Sequence, residues 1–271
     1  MHSFSAARFA LGLPLTALAV LALLLAFFGL AVARGMHRSV DVAWGLGFVV
    51  VAAVSYALSA GHGSGTTRGL LLVLTAVWGL RLAGHIAWRG HGQLEDPRYA
   101  DLVARAPGNP HLYALRKVYL TQAVVLWFVS LPIQVGMYAR GGVTVVTMLG
   151  VLLVVVGLVF EAGGDWQLER FKRNPATRGT VLDTGLWHYT RHPNYFGDAC
   201  TWWGLFAVAA AHWPGVLTLL SPLAMTLTLA KGTGKPLTEA RMQGTRPEYA
   251  DYVARTSGFI PLPARRRAVV G

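Results

Sequence analysis

The chain is poor in charge, has one cysteine, and lacks the glycine signatures of soluble nucleotide-binding domains. Only 13% of its 271 residues are Asp, Glu, Lys or Arg while 54% are hydrophobic, which leaves too little polar surface to cover a soluble globule of this size. The lone Cys200 rules out an internal disulfide and any cysteine-built zinc or iron–sulfur site, and it reads as a small packing residue. No Gly-x-Gly-x-x-Gly follows a strand pattern. Gly232-Thr233-Gly234-Lys235-Pro236 imitates a phosphate loop, but Leu229 stands where its first glycine belongs and Pro236 replaces the Ser or Thr. Any dinucleotide is therefore held by helices and loops. His188 and His192, at i,i+4, lack an evident third ligand, so no metal site is assigned.

What the chain does have is apolar length. Stretches near 9–33, 40–60, 69–88, 118–138, 143–162, 198–213 and 215–230 include several of the roughly 20 residues that span a hydrocarbon core. They predict an all-α polytopic membrane helix bundle of about seven transmembrane helices, or six if Trp213-Pro214 merely bends one element. The first run is far longer than a signal-peptide core and is read as retained. One membrane domain is expected over 1–271, with 1–38 a peripheral first helix and loop and 264–271 a basic tail.

The net charge of +12 is distributed unevenly. With seven spans, Arg8, Arg68 and Arg140 lie on the N-terminal face, twenty basic residues lie on the other, and Arg81 is left inside a span. That asymmetry puts the N-terminus outside and the C-terminus in the cytoplasm. It also argues against nucleic acid as a partner, because the charge sits in membrane-proximal loops without interleaved stacking aromatics. Bilayer lipids and a lipophilic small molecule are the expected partners.

Polar residues inside or beside the apolar runs carry the functional reading. Asp41 sits in the first turn of the second span, where Ser39 can cap; it complements the helix dipole or donates a proton at a cavity mouth. Arg81 and His85 are one turn apart near the end of the third span, beside Trp78, Gly79 and Gly84; Arg81 either snorkels or faces the bundle interior, where the glycines let neighbours approach. The loop Glu95-Asp96-Pro97-Arg98-Tyr99 can cover a ligand or simply connect. Glu161, Asp165 and Glu169 recur at i,i+4, and Glu161 needs a partner because it lies beside an apolar run. Lys172, Arg173 and Arg178 follow as a basic cluster suited to a phosphate or an anionic lipid head.

The densest polar run is Gly185 to Asp198. Pro193 suits a first helical position, placing Asn194, Tyr195, Gly197 and Asp198 in opening turns whose unpaired N–H groups attract anions. On one helix Arg191 and Tyr195 share a face, as do Asn194 and Asp198. The plain alternative is an interfacial anchor of Trp, Tyr, His and Arg. The tail, with Glu239, Arg241, Arg246, Tyr252 and Arg255, reads as an amphipathic cytoplasmic segment.

These residues carry a resemblance. From about Asp41 to Pro263, through Trp78-Gly79-Leu80-Arg81, Glu95 to Tyr99, Glu161, Gly164-Asp165-Trp166-Gln167, Gly185-Leu186-Trp187, Arg191 to Asp198 and Phe259-Ile260-Pro261, the chain resembles DUF1295. This is a bacterial membrane family of unknown function related to the steroid 5-alpha-reductase C-terminal domain. The resemblance implies a seven-helix reductase of the bacterial inner membrane that binds NADPH in a cytoplasm-facing cavity and sends its hydride to an activated C=C bond. It implies cofactor contacts at Asn194 and Asp198, further ones at Asp165, Lys172 and Arg173, and one at Arg81. Arg178, Arg191, Tyr195, Glu161 and Tyr252 complete the candidate cofactor group; Asp41, Trp78 and His85 are the catalytic candidates. Steroid 5-alpha-reductases carry a Gln-Glu pair in the second helix and a Tyr in the third, whereas this chain has Asp41 and Trp44, and Trp78. Isoprenylcysteine methyltransferases and related lipid methylases share Arg-His-Pro-x-Tyr-x-Gly and use S-adenosylmethionine, so a methyltransferase is the competing reading and a non-catalytic lipid-binding protein the third. Asn194 with Asp198 fits the reductase branch.

Overall fold

A computed structural model describes residues 4–232 and 234–265. Thr233 and most of the expected basic tail over 264–271 lie outside them. The described chain is helical, with one isolated bridge pairing Thr190 and Ser257. The helices are α1 (Ala6–Arg34), α2 (Val40–Leu58), α3 (Gly65–Gly90), α4 (Pro97–Ala104), α5 (Pro110–Ala114), α6 (Leu120–Val129), α7 (Leu131–Gly136), α8 (Val145–Arg173), α9 (Leu186–Tyr189), α10 (Pro193–Ala210), α11 (Leu220–Lys231), α12 (Lys235–Thr245) and α13 (Tyr249–Arg255). A π turn over Leu115–Tyr119 joins α5 to α6.

Among the described residues six runs are long and apolar enough to cross a bilayer: Ala6–Arg34, Val40–Leu58, Gly65–Gly90, Pro110–Val129, Val145–Arg173 and Gly215–Thr245. The protein is a multi-pass membrane helix bundle. The sixth predicted run, 198–213, which falls largely in α10, is missing from that group because the opening turns of α10 carry Asn194 and Asp198 among small residues. The Trp213-Pro214 break makes a turn followed by a short 3-10 segment at Gly215–Thr218.

The chain divides into two compact units, Met1–Met148 with Leu205–Ser221 and Leu149–Gly204 with Pro222–Gly271. In the first unit α2 packs along α3 at backbone distance: a Cβ on Gly45 would sit 2.6 Å from the Gly79 carbonyl, and one on Gly79 2.6 Å from that of Gly45. Gly79 thus allows the close approach expected of it, whereas nothing lies within 4 Å of Gly84, which permits no such contact. Phe48, Leu71, Leu126 and Ile133 are fully buried here. Gln134 is buried too; its Oε1 accepts from Thr16 Oγ1 at 2.7 Å while Nε2 donates to Ser130 Oγ at 2.9 Å and the Trp127 carbonyl at 3.2 Å. An amide so far inside a bundle is tolerable because each polar atom is matched.

One end of this first unit gathers several turns. Ser64 N–H donates to the Ala139 carbonyl at 2.9 Å, Arg140 Nε to the His62 carbonyl at 3.2 Å, and His212 Nε2 lies 2.9 Å from the Gly142 carbonyl. The residues just beyond α10 therefore meet the turn that precedes α8.

In the second unit α8 and α10 run antiparallel on glycines. A Cβ on Gly197 would fall 2.5 Å from the Gly157 carbonyl and 2.6 Å from the Glu161 nitrogen, and one on Gly204 would fall 2.6 Å from the Gly150 carbonyl. Small residues at such a crossing replace hydrophobic drive with tight van der Waals packing. Gly197→Val is expected to separate the two helices and destabilise the protein by about 1–3 kcal/mol, read as a lower thermal midpoint in detergent; an unchanged midpoint would remove this account of the crossing.

Candidate functional site

The polar run at the start of α10 is assembled in the second unit by three elements: the end of α8, the turn through Gly185, and the C-terminal segment. Pro193 is the first residue of α10, as its ring geometry predicts. α8 passes this start closely, since a Cβ on Gly164 would meet Pro193 Cγ at 3.0 Å and the Asn194 nitrogen at 3.3 Å. One residue on, Asp165 Oδ1 accepts from Asn194 Nδ2 at 3.3 Å. Gln167 Oε1 then accepts the Leu186 N–H at 3.0 Å, and Trp187 Nε1 donates to the Gly164 carbonyl at 3.1 Å. Gly185, at φ 62°, lies where a Cβ would strike Gln167 Nε2 at 2.5 Å; only glycine suits both constraints. Gly164-Asp165-Trp166-Gln167 and Gly185-Leu186-Trp187 are therefore two halves of one joint. Trp166 turns outward beneath Arg170.

Asp165, Asp198 and Glu161 are buried, so three carboxylates flank the first two turns of α10. Asn194 is half-buried. Hydrogen-bond acceptors in this density suit a ligand rich in donors, such as ribose hydroxyls and a carboxamide. Lys172 and Arg173 are exposed in the last turn of α8 and Arg178 is exposed just past its end, with Lys172 Nζ 3.7 Å from Glu169; cations there suit phosphates.

Arg191 behaves differently from the expectation that it shares a helix face with Tyr195. α10 starts two residues later, so Arg191 lies in a bend before the helix and its side chain turns to the tail. Nε lies 2.8 Å from Glu239 Oε1, and Nη1 donates to the carbonyls of Val253, at 3.2 Å, and Thr256. His192 Nε2 approaches the same Glu239 oxygen at 3.1 Å, and Tyr195 stacks flat on the His192 ring while its hydroxyl pairs with Thr238. Burial holds the His192 imidazole below its usual pKa, Arg191 and Lys235 pushing the same way and Glu239 against them. Tyr252 gives its hydroxyl to the Trp187 carbonyl, and burial raises its pKa. Arg255 pairs with Asp183 at 2.6 Å. The C-terminal segment is thus strapped over the Trp187–His192 turn, and Glu239 is its central carboxylate. Sequence reasoning placed Glu239 only within an amphipathic tail; a lone acid 47 residues downstream of His192 has no local pattern to reveal its partner.

The remaining candidates belong to the first unit. Asp41 is ion-paired with Arg98 at 2.6 Å and accepts from the Tyr99 hydroxyl. Asp96 caps α4 by accepting the Arg98 N–H at 2.8 Å. Glu95 accepts the backbone N–H groups of His37 and Arg38, so it satisfies the chain entering α2, where the Ser39 side chain makes no cap. The first amides of α2 bond to the backbone instead, Val40 N–H to the His37 carbonyl, Asp41 N–H to that of Arg38 and Val42 N–H to that of Ser39, while Glu95 ties down the turn just before the helix from 57 and 58 residues away in sequence. Trp78 is fully buried edge-on against Phe48. His85 lies against Trp88 and Arg81 is half-buried on the same helix.

Residues 27–256 match the family described as protein of unknown function (DUF1295). The chain belongs to that family, a membrane family related to steroid reductases. Over 99 residues it is 34% identical to rat (Rattus norvegicus) 3-oxo-5-alpha-steroid 4-dehydrogenase 1, covering 36% of this chain and 38% of that protein. The match spans little more than a third of the relative's length. No solved structure matches.

Proposed function

We propose that the protein is a membrane oxidoreductase that uses NADPH to reduce an activated C=C bond of a lipid-like or steroid-like substrate. The observation that carries this reading is the joint of α8 and α10, where Asn194 meets Asp165 and Asp198 follows one turn on. Asn194 would bind the carboxamide or a ribose hydroxyl, and Asp165 and Asp198 would accept from the remaining donors. Lys172, Arg173 and Arg178 would hold phosphates, a group S-adenosylmethionine lacks. When bound, NADPH would supply a hydride. Arg191, engaged with Glu239 and the tail carbonyls, would position the start of α10. Asp41, held by Arg98 and Tyr99, would serve as a proton donor only if that pairing opens; Trp78 and His85 would shape the third helix.

The relative named a 3-oxo-5-alpha-steroid 4-dehydrogenase supports the reductase class, and its name suggests a conjugated ketone as substrate. The test is a binding screen of NADPH against S-adenosylmethionine with purified protein: saturable NADPH binding is the expected result, S-adenosylmethionine binding alone would establish the methyltransferase reading, and neither would favour a non-catalytic lipid-binding protein.

For topology we propose seven crossings with the tail and cofactor site on the cytoplasmic face of a bacterial inner membrane. The meeting of His212 with Gly142 supports a full passage by α10, and seven passages preserve the three-to-twenty charge asymmetry. Reporters fused to each terminus should give opposite sidedness; the same side for both would return the count to six.

A further inference from the structure

A pair of histidines in the first unit has no part in the proposed reaction. His37 lies in the turn between α1 and α2 and is 3% exposed; His111 is in the first turn of α5. Their ring centres are 5.6 Å apart and tilted by 45°. His37 Nε2 and His111 Nδ1 are both buried and make no hydrogen bond. Two orphaned imidazole nitrogens on adjacent rings are costly unless something pairs with them.

The spacing limits what that can be. A direct N–H···N bond of about 3 Å would draw the ring centres closer than observed. An ion about 2.0–2.1 Å from one nitrogen of each ring puts the centres roughly 5–6 Å apart at tetrahedral to trigonal angles. The other nitrogen of His37, Nδ1, is 3.1 Å from the Tyr119 hydroxyl, the outer contact that fixes tautomer and ring orientation in metal-bound histidines. Phe28 also stacks on His37, with ring centres 6.4 Å apart.

We propose that His37 Nε2 and His111 Nδ1 bind a late first-row transition-metal ion of the Zn2+ type. Imidazole suits zinc, copper and nickel. No group of three His, Cys, Asp or Glu side chains surrounds a point among the described residues, so solvent completes the shell. Bound there, the ion clasps the α1–α2 turn to the start of α5, next to the Glu95 contacts that already fix that turn. Tyr119 is a positioning residue.

The test uses full-length protein in lipid nanodiscs, free of any histidine tag and stripped with chelator, titrated with Zn2+ by calorimetry and followed by thermal unfolding. One equivalent should bind and raise the unfolding midpoint. His111→Gln should weaken binding at least about tenfold and abolish the zinc-dependent rise, and Tyr119→Phe should weaken it about ten- to hundredfold at unchanged stoichiometry. The metal-free midpoint of His111→Gln, near that of the wild type, shows that the variant folds. Absence of saturable zinc binding would leave a bridging water only, and binding unaffected by His111→Gln would place the ion elsewhere; either overturns the proposal.

Discussion

Replacing Glu239 by Ala should destabilise the protein by about 3–5 kcal/mol, the range for breaking a buried ion pair from one side. The size follows from what remains. Arg191 and His192 side chains are 8% and 4% exposed and share one Glu239 oxygen. Without the carboxylate the Arg191 guanidinium keeps its carbonyl acceptors on the tail but loses its counter-charge away from solvent. Glu239→Gln retains an acceptor oxygen and should cost less. Thermal or denaturant unfolding in detergent measures both, and a Glu239→Ala variant as stable as the wild type would show that the strap is not held through Arg191.

His192 adds a pH dependence to the same strap. Its folded pKa is lowered by burial, so as pH falls through about 6.5 the unfolded chain binds a proton that the folded chain refuses. Stability contributed at neutral pH is therefore lost on acidification. The midpoint should fall between pH 7.5 and 5.5, and by less in His192→Gln; an equal fall in both would assign the effect to other groups.

The second large effect concerns the cofactor. Asn194→Ala and Asp198→Ala should each weaken NADPH binding about ten- to hundredfold, because each removes a hydrogen-bonding group that the cofactor would otherwise satisfy in a largely desolvated place. Calorimetry with folded protein reads the loss directly. The unfolding midpoint of each variant separates loss of the site from loss of the fold, which matters because Asn194 also holds Asp165. If both variants bind NADPH like the wild type, the reductase reading loses its main support. The basic cluster makes a separate claim: combined Lys172→Ala and Arg173→Ala should impair NADPH more than NADH, and equal impairment would mean these side chains do not read the 2′-phosphate.

Much of the architecture was legible because hydrophobic length and capping chemistry are local. α1, α2, α3 and α8 lie where the apolar runs predict, and α10 begins at Pro193 for the reason its ring suggests. Arg191 was misplaced by the same local logic: i,i+4 spacing means a shared face only once the helix has begun, and Pro193 delays that start by two residues. Glu95 and Asp41 were readable as residues but not as partners, since contacts made across 57 or 58 positions leave no periodic trace.

By itself the sequence determined that this is a multi-pass helical membrane protein and drew attention to Asn194, Asp198, Asp165 and the basic residues at and just past the end of α8, because membrane length, charge asymmetry and motif spacing are properties of contiguous residues. Only the tertiary structure decided that Gly164 and Gly185 form a joint beside Asn194, that Arg191 faces Glu239 and the tail, and that His37 and His111 on neighbouring rings each keep a buried nitrogen without a hydrogen-bond partner. Those outcomes depend on which distant segments approach within hydrogen-bond reach, and in a bundle that is set by helix packing through glycines rather than by any single stretch of chain.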